Sequence, residues 1–117
     1  MKTPTILALA LALLTGCTDS SGEWSGECDV GEFEFDVQMT LEEGDNITGT
    51  GTITFSEQSV EITESVTITG SRDGDAISLE LEPEDVGEMN INATIDGDTL
   101  DGTCTWAGVD GSVTMDR

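Results

Sequence analysis

The run Phe33-Glu34-Phe35-Asp36-Val37-Gln38-Met39-Thr40-Leu41 decides the fold. Apolar residues alternate with acidic or polar ones along its whole length, the period of a strand with one buried and one solvated face. Wound as a helix, the same residues would scatter apolar side chains around the circumference. Downstream, Ile47, Ile53 and Phe55 keep one phase and Thr48, Thr50, Thr52 and Thr54 the other. Gly49 and Gly51 fall on the apolar side, where a curved sheet needs close approach. Val60, Ile62, Val66 and Ile68 share a phase that Glu64 interrupts, which predicts a bulge or break near Glu64 and Ser65 to keep the carboxylate out of the core.

The alternation continues through Ile77, Leu79 and Leu81, then Met89, Ile91, Ala93 and Ile95, then Leu100, Cys104 and Trp106, and finally Val113 and Met115. Upstream it takes in Trp24 and Cys28. Turn residues punctuate the runs at 43–46, 73–75, 96–98 and Asp110–Gly111, and Pro83 opens a loop before Met89. This spacing predicts an all-β antiparallel meander of about eight strands, closed most economically into a small up-and-down barrel, with a two-sheet sandwich of the same strands as the alternative. Bulky residues on the inward phase, among them Trp24, Phe33, Phe35, Met39, Leu81, Met89 and Trp106, predict an interior filled by side chains rather than a ligand.

The charge balance is extreme. The 117 residues contain 25 Asp or Glu, 3 Lys or Arg and no His, a formal net charge of −22. The basic residues are Lys2, Arg72 and Arg117. No phosphate-binding Lys loop, Schiff-base Lys or His-based triad can be assembled in the domain from such a set. A polyanion would be repelled, so nucleic acid is not an expected partner.

The first seventeen residues give an address. Lys2 precedes Ile6–Leu14, ILALALALL, an apolar stretch too short to span a bilayer and suited to a secretory signal. Leu14, Thr15, Gly16 and Cys17 resemble the lipobox of bacterial lipoproteins. The resemblance implies cleavage after Gly16, a thioether-linked diacylglycerol on Cys17 and a palmitate-type acyl chain on the new N-terminus, together enough for stable membrane anchoring. The organisation expected is a signal peptide over 1–16, a lipidated Cys and polar tether over 17–23, and a barrel domain over 24–117. Thr18, rather than Asp, after the Cys favours an outer membrane where one exists. An ordinary secretory signal with an incidental Cys17 is the alternative.

A second resemblance covers nearly all of the rest. Trp24-Ser25-Gly26 and the hairpins Leu41–Thr50, Gly70–Leu79 and Ile95–Thr103 are similar to those of calycin-type, avidin-like barrels, and the closing run Gly111–Arg117 to that of bacterial lipoproteins without an assigned activity. It implies a fold and no chemistry. The avidin family holds biotin with an inward ring of Tyr, Trp, Ser, Asn and Asp, whereas this chain has no Tyr and a nearly all-apolar inward phase, so no cofactor is implied.

Cys28 and Cys104 both lie on inward phases, and secretion permits a disulfide between them. Against the bridge, the eighth strand of a closed barrel would separate the first from the seventh, and two reduced core cysteines are the alternative. Asp96, Asp98 and Asp101 invite a metal reading and Asp73 with Asp75 repeats the Asp-Gly-Asp spacing, but counted from Asp96 the EF-hand pattern fails because Leu100 and Asp101 fall at its fifth and sixth positions. Hairpin chemistry explains Asp-Gly-Asp more simply. With two Trp and three Phe, the chain has few aromatic platforms for a sugar cleft, and no catalytic residue is expected. The function expected is a non-enzymatic binding or interaction module held on the cell envelope, with a protein or surface polymer as partner. The alternatives are a carrier of a small apolar ligand and a cation-binding acidic surface protein.

Overall fold

The computed structural model describes residues 19–84 and 87–117. Eight antiparallel strands close into one barrel in which each strand pairs with its neighbours in sequence. They are β1 (Gly22–Val30), β2 (Phe33–Glu43), β3 (Ile47–Glu57), β4 (Val60–Asp73), β5 (Ala76–Pro83), β6 (Met89–Asp96), β7 (Thr99–Trp106) and β8 (Val109–Asp116). This is a small calycin-like fold. The meander is confirmed, and the sandwich alternative is set aside by the β1–β8 ladder, which joins Ser25–Asp29 to Ser112–Asp116.

The period-two reading of β2 holds residue by residue from Glu34 to Leu41. Phe35, Val37, Met39 and Leu41 are buried, while Glu34, Asp36, Gln38 and Thr40 are exposed. Burying a side chain such as Phe35 or Leu41 contributes about 1.5–3 kcal/mol each, so these positions set the register. Trp24, Ile53, Ile68, Leu81, Met89, Ile91 and Leu100 fill the interior with them.

Three expectations need correction. β4 has no break at Glu64, which sits in an uninterrupted ladder opposite Ile53 and is half-buried. The carboxylate escapes full burial because β4 pairs with β5 only from Val66 onward, leaving this stretch of β4 without that neighbour. The last hairpin turns at Ala107 and Gly108, with φ of 53° and 79°, not at Asp110–Gly111. Gly111 lies inside β8, where a Cβ would fall 1.7 Å from the Asp29 carbonyl oxygen. Finally, Phe33 and Trp106 belong to the inward phase but lie at the mouth, with Phe33 37% exposed and Trp106 half-buried.

Gly111 also resolves the disulfide question. It pairs with Cys104, and the missing side chain lets β1 pass close over β8. Cys28 and Cys104 thereby come within 6.2 Å Cα to Cα and are bridged. Separation by one strand is overcome where that strand contributes no side chain.

Candidate functional site

Alternating strand direction gives the barrel two unlike ends. The chain enters at the end carrying the β2–β3, β4–β5 and β6–β7 turns; the opposite, far end carries the β1–β2, β3–β4 and β7–β8 turns and the β5–β6 loop.

Both arginines are at the entry end, and both hold the entering chain. Ser20 is fully buried, and its N–H and hydroxyl donate to Glu43 Oε1 at 2.8 Å each. Arg72 closes on the same carboxylate, with Nε 3.1 Å from each oxygen and Nη2 3.0 Å from Oε2. Burial pushes the Glu43 carboxyl upward, but the hydrogen bonds from Arg72 and Ser20 outweigh it and hold it below the usual carboxylate range. Trp24 Nε1 donates to the Ser20 carbonyl at 2.8 Å, and the Arg117 guanidinium lies 4.5 Å over the Trp24 ring. Arg117 also donates to the Asp19 and Ser21 carbonyls. The segment expected to be a tether through residue 23 is therefore packed from Ser20, and β1 begins at Gly22. Cys17 lies outside the described residues.

Two of the three metal candidates, Asp98 and Asp101, engage a neighbour through the carboxylate, and Asp96 through its main-chain carbonyl. Asp98 pairs with Arg117 Nε at 3.2 Å, the Asp96 carbonyl accepts from the Thr99 hydroxyl at 2.9 Å, and Asp101 Oδ1 accepts from Thr114 at 3.4 Å. All three acids are exposed, and Gly97 between Asp96 and Asp98 takes φ 61°, as a tight hairpin turn requires. Carboxylates converge elsewhere among the described residues, in Glu27, Asp29 and Glu34 and in Glu80, Glu82 and Glu88, each set within 4.8 Å. Such convergence on an exposed surface does not make a cation site without a further ligand.

The outer wall shows how the barrel tolerates its charge. On β3 and β4 the outward residues pair as Thr48–Thr69, Thr50–Thr67, Thr52–Ser65 and Thr54–Thr63, a hydroxyl ladder in place of opposed charges. Like charges directly opposite each other destabilise a sheet by roughly 0.2–1 kcal/mol per pair. In seven of the eight ladders every paired carboxylate meets a hydroxyl, an amide or an apolar residue. The exception is β1–β2, where Glu27 faces Asp36 and Asp29 faces Glu34. Asp29 and then Glu34 repel the Glu27 carboxylate and raise its pKa above the ordinary value.

That exception adjoins the far end, where the apolar surface is also concentrated. The exposed large hydrophobic residues Phe33, Val60 and Val109 all flank turns there, at 37%, 60% and 48% exposure. Phe33 packs edge-on to Trp106 with ring centres 5.4 Å apart, and Phe35 contacts both Trp106 and Phe55, at 5.2 and 5.3 Å.

Between β2 and β3 the wall opens. Their ladder stops at Asp36 and Thr54, so Phe33–Phe35 and Phe55–Glu57 are not paired with each other. A cleft of about 400 Å³ lies at this stretch, its apolar lining the exposed Phe33 and the nearly buried Phe55 and its acidic lining Glu27, Glu32, Glu34, Asp36 and Glu61. The alternation in Phe33–Leu41 places Glu34 and Asp36 on a solvated face and does not show the convergence of acids on this opening. The signal for part of it was present, since the two-residue turn Gly31–Glu32 fixes which β1 acids oppose which β2 acids. No protein-family model matches the chain, and a search of curated proteins returns no significant match.

Proposed function

We propose that the protein is an envelope lipoprotein anchored through Cys17, whose avidin-like barrel serves as a non-enzymatic interaction module. The observation that carries this reading is the asymmetry of the barrel. The entry end is locked by Arg72 and Arg117, whereas the far end gathers the exposed Phe33, Val60 and Val109 and the opposed carboxylates of β1–β2. A lipid on Cys17 would put the locked end toward the bilayer and the apolar, acidic end toward a partner.

Cys17→Ser in the full precursor is expected to move the protein from the membrane to the soluble fraction and to leave the precursor without the mass of diacylglycerol. Unchanged partition and mass would refute the anchor. Against the carrier alternative stand the side chains that occupy the interior, Trp24, Phe35, Leu81 and Met89 among them. Native mass spectrometry of the protein in neutral detergent is therefore expected to show no stoichiometric apolar small molecule, and finding one would restore the carrier reading.

A further inference from the structure

We propose that the cleft between β2 and β3 binds an extended, Lys- or Arg-bearing segment of a partner protein, which continues the interrupted ladder and rests an apolar side chain on Phe33. The proposal rests on the interaction-module reading above and names its partner.

Three independent features converge on it. The first is backbone geometry. Phe33–Phe35 are paired with β1 on one side only, and Phe55–Glu57 with β4 on one side only. Beyond Asp36 and Thr54 the two strand edges are not paired with each other, although the Phe35 and Phe55 rings still touch where the ladder ends. Edges of this kind are what an added strand pairs with, the main chain providing affinity and alternate side chains specificity. The second is the apolar lining. Phe33 is exposed enough to be covered, and its ring is braced from behind by Trp106 and Phe35, so an arriving aliphatic side chain meets a fixed surface. The third is charge. The cleft has five carboxylates around it, and its near wall contains the only acid–acid cross-strand pairs in the ladders. Arg72 and Arg117 are both engaged at the other end, so no basic residue among those described neutralises it. Elsewhere the barrel places hydroxyls where such pairs would arise, and the cost accepted here is recovered when cations arrive on an incoming segment.

The period-two rule defines the segment's chemistry. One face of the added strand would carry Lys or Arg toward Glu27, Glu34, Asp36 and Glu61, and the other a Val, Ile or Leu toward Phe33 and Phe55. A partner of mixed apolar and basic alternation fits; a polyanion or a neutral polymer does not.

The test uses the full-length protein in neutral detergent micelles and two probes, a capped alternating Lys-Val peptide of eight residues and calcium ion alone. Backbone amide shifts on adding the peptide are expected to saturate and to centre on Phe33–Asp36 and Phe55–Glu57. Asp29→Asn with Glu34→Gln, and separately Phe33→Ala, are expected to weaken the peptide at least tenfold. The control pair Glu80→Gln with Glu82→Gln removes the same charge at another acidic cluster and is expected to change affinity less than twofold. Neutralising Asp29 and Glu34 relieves repulsion, so that variant should fold at least as well as the parent. Equal weakening by the control pair would reduce the effect to general electrostatics and overturn the proposal. Shifts centred elsewhere would also overturn it, as would calcium binding at Glu27, Asp29 and Glu34 with no peptide response. None of these outcomes bears on membrane partition, which tests the anchor separately.

Discussion

Raising monovalent salt from about 0.01 M to 1 M, which shortens the Debye length from about 30 Å to about 3 Å, is expected to raise the melting temperature by roughly 10–20 °C. From Asp19 onward the chain sets two arginines against all 25 acids, a formal charge of −23 for that stretch. Self-repulsion on that scale opposes the compact state until it is screened. The predicted rise corresponds to about 2–4 kcal/mol at ~5 °C per kcal/mol for a domain of this size. A flat response in a thermal melt would show that the hydroxyl ladder on β3–β4 and the lone acids opposite Thr and Ser already disperse the charge sufficiently.

Acidity should act in the same direction, with a limit. Repulsion by Asp29 and Glu34 raises the Glu27 pKa, and a shared hydrogen bond with Glu88, together with repulsion from it, raises that of Glu80. A carboxyl whose folded pKa exceeds its unfolded value costs stability when ionised, and that cost is relieved as pH falls through the folded pKa. Glu43 has the opposite sign. Its folded pKa is lowered, so its contribution is present above the unfolded value and lost as pH falls through the folded one. At low salt the melting temperature is therefore expected to climb from neutral pH into the upper carboxylate range and to fall again at lower pH. A melt series across pH that declines steadily from neutrality would contradict this order.

Gly111→Val is expected to prevent oxidation of the Cys28–Cys104 pair and to leave both as titratable thiols. The added Cβ would stand 1.7 Å from the Asp29 carbonyl oxygen and 2.8 Å from the Val30 Cα, positions held by backbone that cannot swing aside. β1 would be lifted from β8, parting the sulfurs. Loss of a bridge that spans a sequence separation of 76 residues costs about 4 kcal/mol in the chain-entropy model, and the clash itself about 1–3 kcal/mol. Gly97→Ala provides the contrast. Its Cβ would meet nothing within 4 Å, and only the left-handed φ of 61° is strained, for about 1–2 kcal/mol. Thiol counts under denaturing conditions and melting temperatures distinguish the two; an intact bridge in the Val variant would show that β1 passes β8 with more room than this.

The strands were legible because each buried face repeats at two, and β2 could be read to the residue from Glu34 to Leu41. What escaped has a common physical origin in neighbours that sequence does not display. Glu64 looked like a break because alternation assumes a strand covered along its whole length, whereas β4 outruns β5 there. Gly111 looked like a turn because Asp-Gly is turn chemistry, and only the passage of β1 reveals that it is needed inside a strand. Ser20 looked like tether because its polar groups are satisfied by Glu43, a residue 23 positions away. The cleft was hidden for the same reason, since the end of the β2–β3 ladder is a property of two strands together.

Arg72 makes the barrel a reporter of its own opening. Between Ser20 and Asp116 it is the one residue after which a trypsin-type protease can cut. It lies within the β4–β5 ladder opposite Ile77, and its guanidinium is tied to Glu43 and to the Gly74 carbonyl. A protease that needs an extended, unpaired substrate must wait for that hairpin to detach, so digestion rates follow the population of the opened form whenever opening and closing outpace cutting. Between those bounds each molecule yields a single nick, free of the confusion of multiple sites. Cys28 lies before the nick and Cys104 after it, so the two halves stay covalently joined until a reductant is added. One gel with and without reductant therefore reads both how often the sheet opens and whether its crosslink has formed.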